Sequence, residues 1–489
     1  MKFMVIYTKS IRKNKKIRKM RSLLFIFLPL VLVFNLSLAN QTGSILPPDS
    51  SASLIDRTAS ILLIDEGKQL LNQGKTRDAL TRFRQAQIKD KYSARAAFWI
   101  GRAHYSLSNY GYALSYAKQA ESLSKATDGD VFFLLGQSYH RKGVLDSAQM
   151  NFELANVQLS RSKKRAYDIE KLMQEVAFAQ ALSAQETQWT RTLVKGGINS
   201  GFDDYAPIKV PEKRKLYFVS RRPDTEGGEI NPDDQRYFED IYEATWNEED
   251  QAWDSITNDL GKINSEGFDA VAHLADGGNR MYLTRNTSIV DVKDQTRSSD
   301  ICIAEMTNQG RWGKPKPIKN KTINTSFFDG APTLTADENT MYFVSDRRGR
   351  NHMSDIFVVQ REGKKWGEAK PLPDNINTPG NETTPYITPD GKYLFFSSDG
   401  FIGMGGYDIY VSKNLGDDEW SDPVNLGPEF NSVNNDTHFK YYEDLARAYL
   451  ASYRIQGKKA SIDIFEMDLE GWKIPAAKKS KETKEDKDK

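Results

Sequence analysis

Thr388-Pro389-Asp390-Gly391-Lys392-Tyr393-Leu394-Phe395-Phe396-Ser397-Ser398 couples a tight turn to a strand. Asp390-Gly391 supplies the turn chemistry, and the aromatic run that follows suits a buried, pleated surface. The same strand recurs as Leu216-Tyr217-Phe218, Met281-Tyr282-Leu283, Met341-Tyr342-Phe343 and Tyr449-Leu450-Ala451. Ahead of the five stand Asn199-Ser200, Asn264-Ser265, Asn324-Thr325, Asn377-Thr378 and Asn431-Ser432. Behind them come Asp240-Ile241-Tyr242, Asp300-Ile301-Cys302, Asp355-Ile356-Phe357, Asp408-Ile409-Tyr410 and Asp463-Ile464-Phe465. Trp253, Trp312, Trp366, Trp420 and Trp472 close the units.

The units repeat every 53–65 residues. A four-stranded sheet of this kind cannot cover both of its faces alone, whereas several arranged in a ring can. We therefore expect a β-propeller over residues 193–475, with five blades, or six if a degenerate unit is present. Thr192-Leu193-Val194-Lys195-Gly196 precedes the first Asn-Ser as Pro423-Val424-Asn425-Leu426-Gly427 precedes the last. The first strand is thus expected to complete the final blade, which removes the free edges that invite aggregation.

A shorter period precedes the propeller. Gly67, Gly101 and Gly136 lie 34 and 35 residues apart within helix-forming runs. Ala79, Ala113 and Ala148 follow them by 12 residues, Phe83, Ala117 and Phe152 by 16, and Ala86, Ala120 and Ala155 by 19. Small residues at fixed intervals let paired helices approach, and an aromatic fills the gap beside them. The expected fold class is thus α + β multidomain: an α-solenoid over residues 59–192, ending in a capping helix, followed by the propeller. Ala117 departs from the aromatic pattern, which predicts weaker packing in the second pair.

The helical spacing resembles the tetratricopeptide repeat, with Gly74 and Gly143 at the interhelix turns. The strand units resemble the TolB-like, WD40-like propeller repeats of the PD40 type. Together they look like envelope proteins associated with type IX secretion and gliding. That resemblance implies a periplasmic, outer-membrane-associated interaction scaffold whose partners are envelope proteins or their peptide segments, with peripheral membrane association through them. A TolB-like translocation accessory factor is the alternative within this class. Such relatives commonly continue into an OmpA-like domain and carry a lipidated cysteine. Here residues 476–489 are a dense Lys/Glu/Asp run, read as a disordered tail.

Residues 1–21 hold nine Lys or Arg and no acid, and Leu23–Leu38 is almost wholly apolar before Ser37-Leu38-Ala39. This is the layout of a secretory signal over residues 1–39, followed by a linker at 40–58; Met20 is an alternative start. Without those residues the 68 Lys and Arg fall to 59 against 66 Asp and Glu, a net charge of −7. Such a balance gives no reason to expect nucleic-acid binding. Cys302 is the sole cysteine, so no internal disulfide forms; it reads as a buried small side chain in a strand. With no cysteine directly following the apolar run, lipid attachment there is not expected.

For chemistry, His104, His140, His273, His352 and His438 are scattered, and no zinc-protease, nucleophile-elbow or P-loop motif occurs. Gly403-Met404-Gly405-Gly406 lies between strands and reads as a turn. Neither metal nor cofactor is expected, and no catalytic residue is assigned. A propeller hydrolase or lyase is the rival reading. It requires His273, His352 or His438 to converge with acidic residues, and their unlike blade positions argue against that, so the chain is expected not to be an enzyme.

Two sets of residues are candidates for holding partners. Asp204, Asp269, Asp329, Glu382 and Asp436 recur before each first strand. They are read either as an acidic propeller rim for a cation or basic segment, or as acceptors for backbone N–H groups in their own turns. Asp240, Asp300, Asp355, Asp408 and Asp463 are read as structural. On the helices, Lys68, Asn72, Arg95, Arg102, Tyr105, Gln137, His140 and Arg141 are expected on the concave face. There they form a cationic groove for an acidic segment or peptide carboxylate, with a solvated helix face as the alternative.

Overall fold

The computed structural model describes residues 52–124, 128–231, 236–286, 299–348 and 353–475. The expected signal, residues 40–51 of the expected linker and the charged tail lie outside them, and the linker expected to run to residue 58 is corrected, because helix begins at Leu54. Eight helices come first among the described residues: α1 (Leu54–Asn72), α2 (Thr76–Lys89), α3 (Ala94–Ser106), α4 (Tyr110–Ser124), α5 (Gly129–Arg141), α6 (Leu145–Gln158), α7 (Arg161–Tyr167) and α8 (Ile169–Ser183). Helix α1 begins at Leu54 because Ser53 caps it, its hydroxyl accepting from the Asp56 N–H at 3.1 Å. The chain divides into two compact units. One extends to Leu135 and includes Leu154–Leu159; the other holds Gly136–Glu153 and everything from Ser160 onward.

In the first unit the glycine period works as a contact rule. A Cβ on Gly67 would collide with the Phe83 ring, so α1 and α2 meet only because that position is bare. Gly101 faces Leu134, the Ala113 carbonyl and Tyr116, which fill the place left by Ala117. At this second pair Leu134, from the next helix, and Tyr116 stand beside the glycine where the other two pairs place a phenylalanine ring. In the second unit Gly136 meets Phe152, a Cβ there lying 2.6 Å from the ring. Gly74 and Gly143 turn their helix pairs at φ +80° and +72°, while Ser108 adopts φ +57° at the matching turn.

After α7 and α8 the second unit continues, from Arg191, as a five-bladed ring. Blade 1 comprises Asp204–Val210, Lys215–Ser220, Asp240–Asn247 and Ala252–Thr257; blade 2, Phe268–Ala275, Arg280–Asn286, Asp300–Glu305 and Lys316–Pro317. Blade 3 is Asp329–Leu334, Thr340–Ser345 and Asp355–Glu362, with Lys365–Trp366 and Lys370–Pro371 sharing its outer edge. Blade 4 is Glu382–Ile387, Tyr393–Ser398 and Asp408–Gly416, with Glu419–Trp420 and Val424–Asn425 outside. Blade 5 is Asp436–Tyr442, Arg447–Gln456 and Lys459–Asp468, finished by Arg191–Leu193. That last strand pairs antiparallel, Arg191 opposite Met467 and Leu193 opposite Phe465.

The first strand of each blade touches the first strand of the next, from blade 1 round to blade 5 and back to blade 1. Each of the five blade interfaces has its own apolar core. Tyr217, Val219 and Met281 pack between blades 1 and 2. Between blades 5 and 1 the core is Leu216, Phe218, Tyr449 and Ile464. A blade therefore depends on its neighbours for burial of both faces.

The recurrent asparagine locks each interface. Asn377 accepts from the Ile356 N–H at 2.8 Å and donates to the Ile356 carbonyl at 3.0 Å, as a strand partner would. Asn264 does the same to Ile241, Asn324 to Ile301 and Asn431 to Ile409. Asn199 does so to Ile464, 265 residues later, and thereby joins the last blade to the first.

Candidate functional site

The five acids that open the first strands are fully buried. Each closes a turn with the Ser or Thr four residues earlier: Asp329 accepts from the Thr325 N–H and hydroxyl, both at 2.6 Å, and Asp436 from Ser432 at 2.6 and 2.8 Å. Asp204 is bonded to Ser200, Asp269 to the Ser265 hydroxyl and Glu382 to Thr378. Arg222 and Arg347 further hold Asp204 and Asp329 while bonding nearby backbone carbonyls, and Arg191, from the closing strand, holds Asp436 at 2.8 Å. The acids thus carry the turns between blades, with their carboxylates away from solvent. Burial outweighs these bonds and pushes Glu382 up to about 7.

The third-strand acids vary more. Asp240 accepts from the Glu226 N–H and Asn258, Asp408 from the Met404 N–H and Asn425, and Asp463 is paired with Arg454. Asp300 and Asp355 are only partly buried, and Arg348 lies 3.7 Å from Asp355.

On the helices, the proposed groove residues separate by unit. In the first, Lys68 on α1 and Arg95 on α3 both bond Asp65, each at 3.2 Å, and the Lys68 ammonium lies 5.6 Å from the Trp99 ring centre. Arg95 borders a hollow of about 160 Å³, lined also by Phe98, Trp99, Asp128, Asp130 and Val131. Asn72 is exposed at the end of α1; Arg102 and Tyr105 are half-buried on α3, Tyr105 beside Tyr110 at 5.3 Å. In the second unit Gln137 is half-buried on α5. His140 is buried and its Nε2 bonds the Met404 carbonyl at 2.8 Å, while Arg141 donates to the Val433 carbonyl at 2.9 Å. Lys171 on α8 donates to the Asp399 carbonyl. His140 and Arg141 therefore spend their polar groups on propeller loops. Gly405 and Gly406 are bare because Val433 and Arg141 pack against them.

Sequence spacing missed a constellation in the central lumen. Lys440 in the first strand of blade 5 donates to the Ala272 carbonyl of blade 2 at 3.2 Å and lies 5.1 Å from the Tyr386 ring centre of blade 4. His273 and His438 share that space, His438 also facing Tyr205 at 5.3 Å between ring centres. Burial, helped by the Lys440 charge, pushes both imidazoles down to about 3; burial brings Lys440 itself to about 8. His438 occupies a β-bulge with φ +55°, matched by Ala206, Ala331 and Thr384, and such bulges re-aim side chains. The charge that both imidazoles feel is thus that of Lys440, a neighbour that their scattered sequence positions did not announce. His352 lies outside the described residues.

No family model matches the chain, and no curated protein matches it. Solved structures give likenesses in both halves. The first tetratricopeptide domain of Spaghetti, bound to an HSP90 peptide, is 18% identical with a TM-score of 0.23, covering 25% of this chain and 98% of that one. The α-L-arabinofuranosidase of Podospora anserina in complex with cellotriose is 12% identical with a TM-score of 0.37, covering 57% and 96%. Trypanosoma rangeli sialidase in complex with sialic acid is 10% identical with a TM-score of 0.34, covering 58% and 60%.

The chain is a tetratricopeptide-like helical region followed by a five-bladed propeller. The expectation that it is not an enzyme is withdrawn. Glycoside hydrolases and sialidases stand among the propellers it is similar to, so this architecture does not exclude catalysis.

Proposed function

We propose that this chain is a protein-interaction scaffold of a cell-envelope complex, exported to the periplasm and associated with the outer membrane through its partners. The machine it serves is of the type IX secretion and gliding kind. Support for export comes from the basic and then apolar composition of residues 1–39. The PD40-like character of the strand units supports the envelope assignment.

The observation that carries the scaffold reading is the hollow on the helical array, where Arg95 and Trp99 meet Asp128 and Asp130 around about 160 Å³. A cation, an aromatic wall and two carboxylates suit a peptide segment with a charged group and an apolar side chain.

Affinity capture of the full chain from a cross-linked envelope fraction tests this reading. Outer-membrane-associated proteins are expected to co-purify. Arg95→Glu and Trp99→Ala are each expected to cut their recovery several-fold, with little change in Tm for Arg95→Glu because its pair with Asp65 is solvent-exposed. Recovery of the chain alone, or unchanged capture by both variants, overturns it.

A further inference from the structure

Blade 2 breaks a rule that the other four blades keep. Sixteen residues after the acid of the first strand, blades 1, 3, 4 and 5 carry Ser220, Ser345, Ser398 and Ser452, and blade 2 carries Arg285. Ser220 and Ser398 donate to their acids at 2.6 and 2.7 Å. Arg285 instead lies beside Asp269, its Nε 3.1 Å from Oδ1, yet neither atom makes an aligned hydrogen bond. Among the described residues the guanidinium has no other partner, although its side chain is only 11% exposed. Burial pushes the Asp269 carboxyl up to about 7, so near neutral pH it offsets the Arg285 charge only in part.

Arg285 lines a cavity of about 500 Å³, together with Glu226, Lys262, Glu266 and Lys314. That volume falls in the range of small-ligand sites. Among the described residues none of these four side chains has an ion-pair or hydrogen-bond partner. The cavity thus carries three cationic and two anionic groups that do not neutralise one another.

The lining excludes several ligand classes. Glu226 and Glu266 oppose a polyanion such as a polyphosphate. Asn264, Ser265 and two glycines complete the wall without an aromatic ring, so a sugar face has no stacking platform. The described residues offer no grouping of His, Cys, Asp and Glu that would hold a metal.

We propose that this cleft binds a small zwitterion of the amino-acid or short-peptide class, its carboxylate on Arg285, Lys262 and Lys314 and its ammonium on Glu226 and Glu266. A planar guanidinium pairs with a carboxylate through two parallel bonds, which fixes the ligand's direction. The proposal is independent of the helical groove and of the envelope assignment.

Titration calorimetry of the full chain with dialanine, N-acetyl-dialanine and dialanine amide tests it. Dialanine is expected to bind saturably, and each capped form at least about ten-fold more weakly because one charge is lost. The exposed pairs Lys262→Gln with Lys314→Gln, and Glu226→Gln with Glu266→Gln, are each expected to weaken dialanine by about five-fold or more at unchanged Tm. Absence of saturable dialanine binding overturns the proposal, as do equal affinities for the three probes or variants that bind dialanine as tightly as the unchanged chain.

Discussion

Asn377 carries a blade-to-blade contact within one side chain. It is 5% exposed, accepts from the Ile356 N–H and donates to the carbonyls of Ile356 and Leu372. Asn377→Ala leaves those three groups unpaired in a dry interface and should cost about 2–4 kcal/mol in urea unfolding. Asn377→Asp keeps the acceptor but loses both donors, so it should not recover stability. The asparagines were visible in the sequence, but their partners were not named, although each lies 21–23 residues after its Ile in four of the five cases. In the lumen, His273 and His438 stay neutral in the folded chain to about pH 3, whereas an unfolded histidine takes up a proton below about 6.5. The two therefore subtract stability as pH falls from about 6.5 toward 3, and add nothing above that range. Lys440→Met removes the neighbouring charge and should move both imidazole titrations upward in NMR.

Helix pairs depend on the bare positions that set their period. Gly67→Ala pushes a methyl into the Phe83 ring and should cost about 1–3 kcal/mol in thermal unfolding. Phe83→Leu in the same chain should recover part of that loss, a coupling that a double-mutant cycle measures. The pairs themselves were legible because 34-residue recurrence of small residues has few other physical solutions. What stands beside Gly101 in place of a ring was not, because Leu134 comes from the following helix. The fate of α5 was equally hidden: His140 and Arg141 carry the periodicity of a concave face, yet carbonyls at Met404 and Val433, 264 and 292 residues away, engage them. Arg141→Ala with Lys171→Ala should speed hydrogen exchange around Val433 and Asp399, because the two variants free those carbonyls from their donors.

For the molecule as a whole, five recurrent units sufficed to foretell the ring, since each must cover its faces with copies of itself. Which side chains meet across the lumen was not foretold, because the Lys440 to Ala272 bond joins non-adjacent blades 168 residues apart and no linear spacing encodes it. The latches are locally alike, but one spans the whole propeller. Asn199→Ala should make the Arg447–Asp468 hairpin sensitive to limited proteolysis, whereas Asn324→Ala, despite the same lost bonds, should leave that hairpin protected. The order in which the polypeptide becomes available gives this asymmetry a kinetic meaning. Arg191–Leu193 emerges well before its docking strand, Lys459–Asp468, which follows about 270 residues later. Until then the outermost seat of the circle stays empty, and a half-made product displays unpaired backbone to any chaperone or protease nearby. Translation, or passage through a membrane, must go beyond Met467 before the circle can shut.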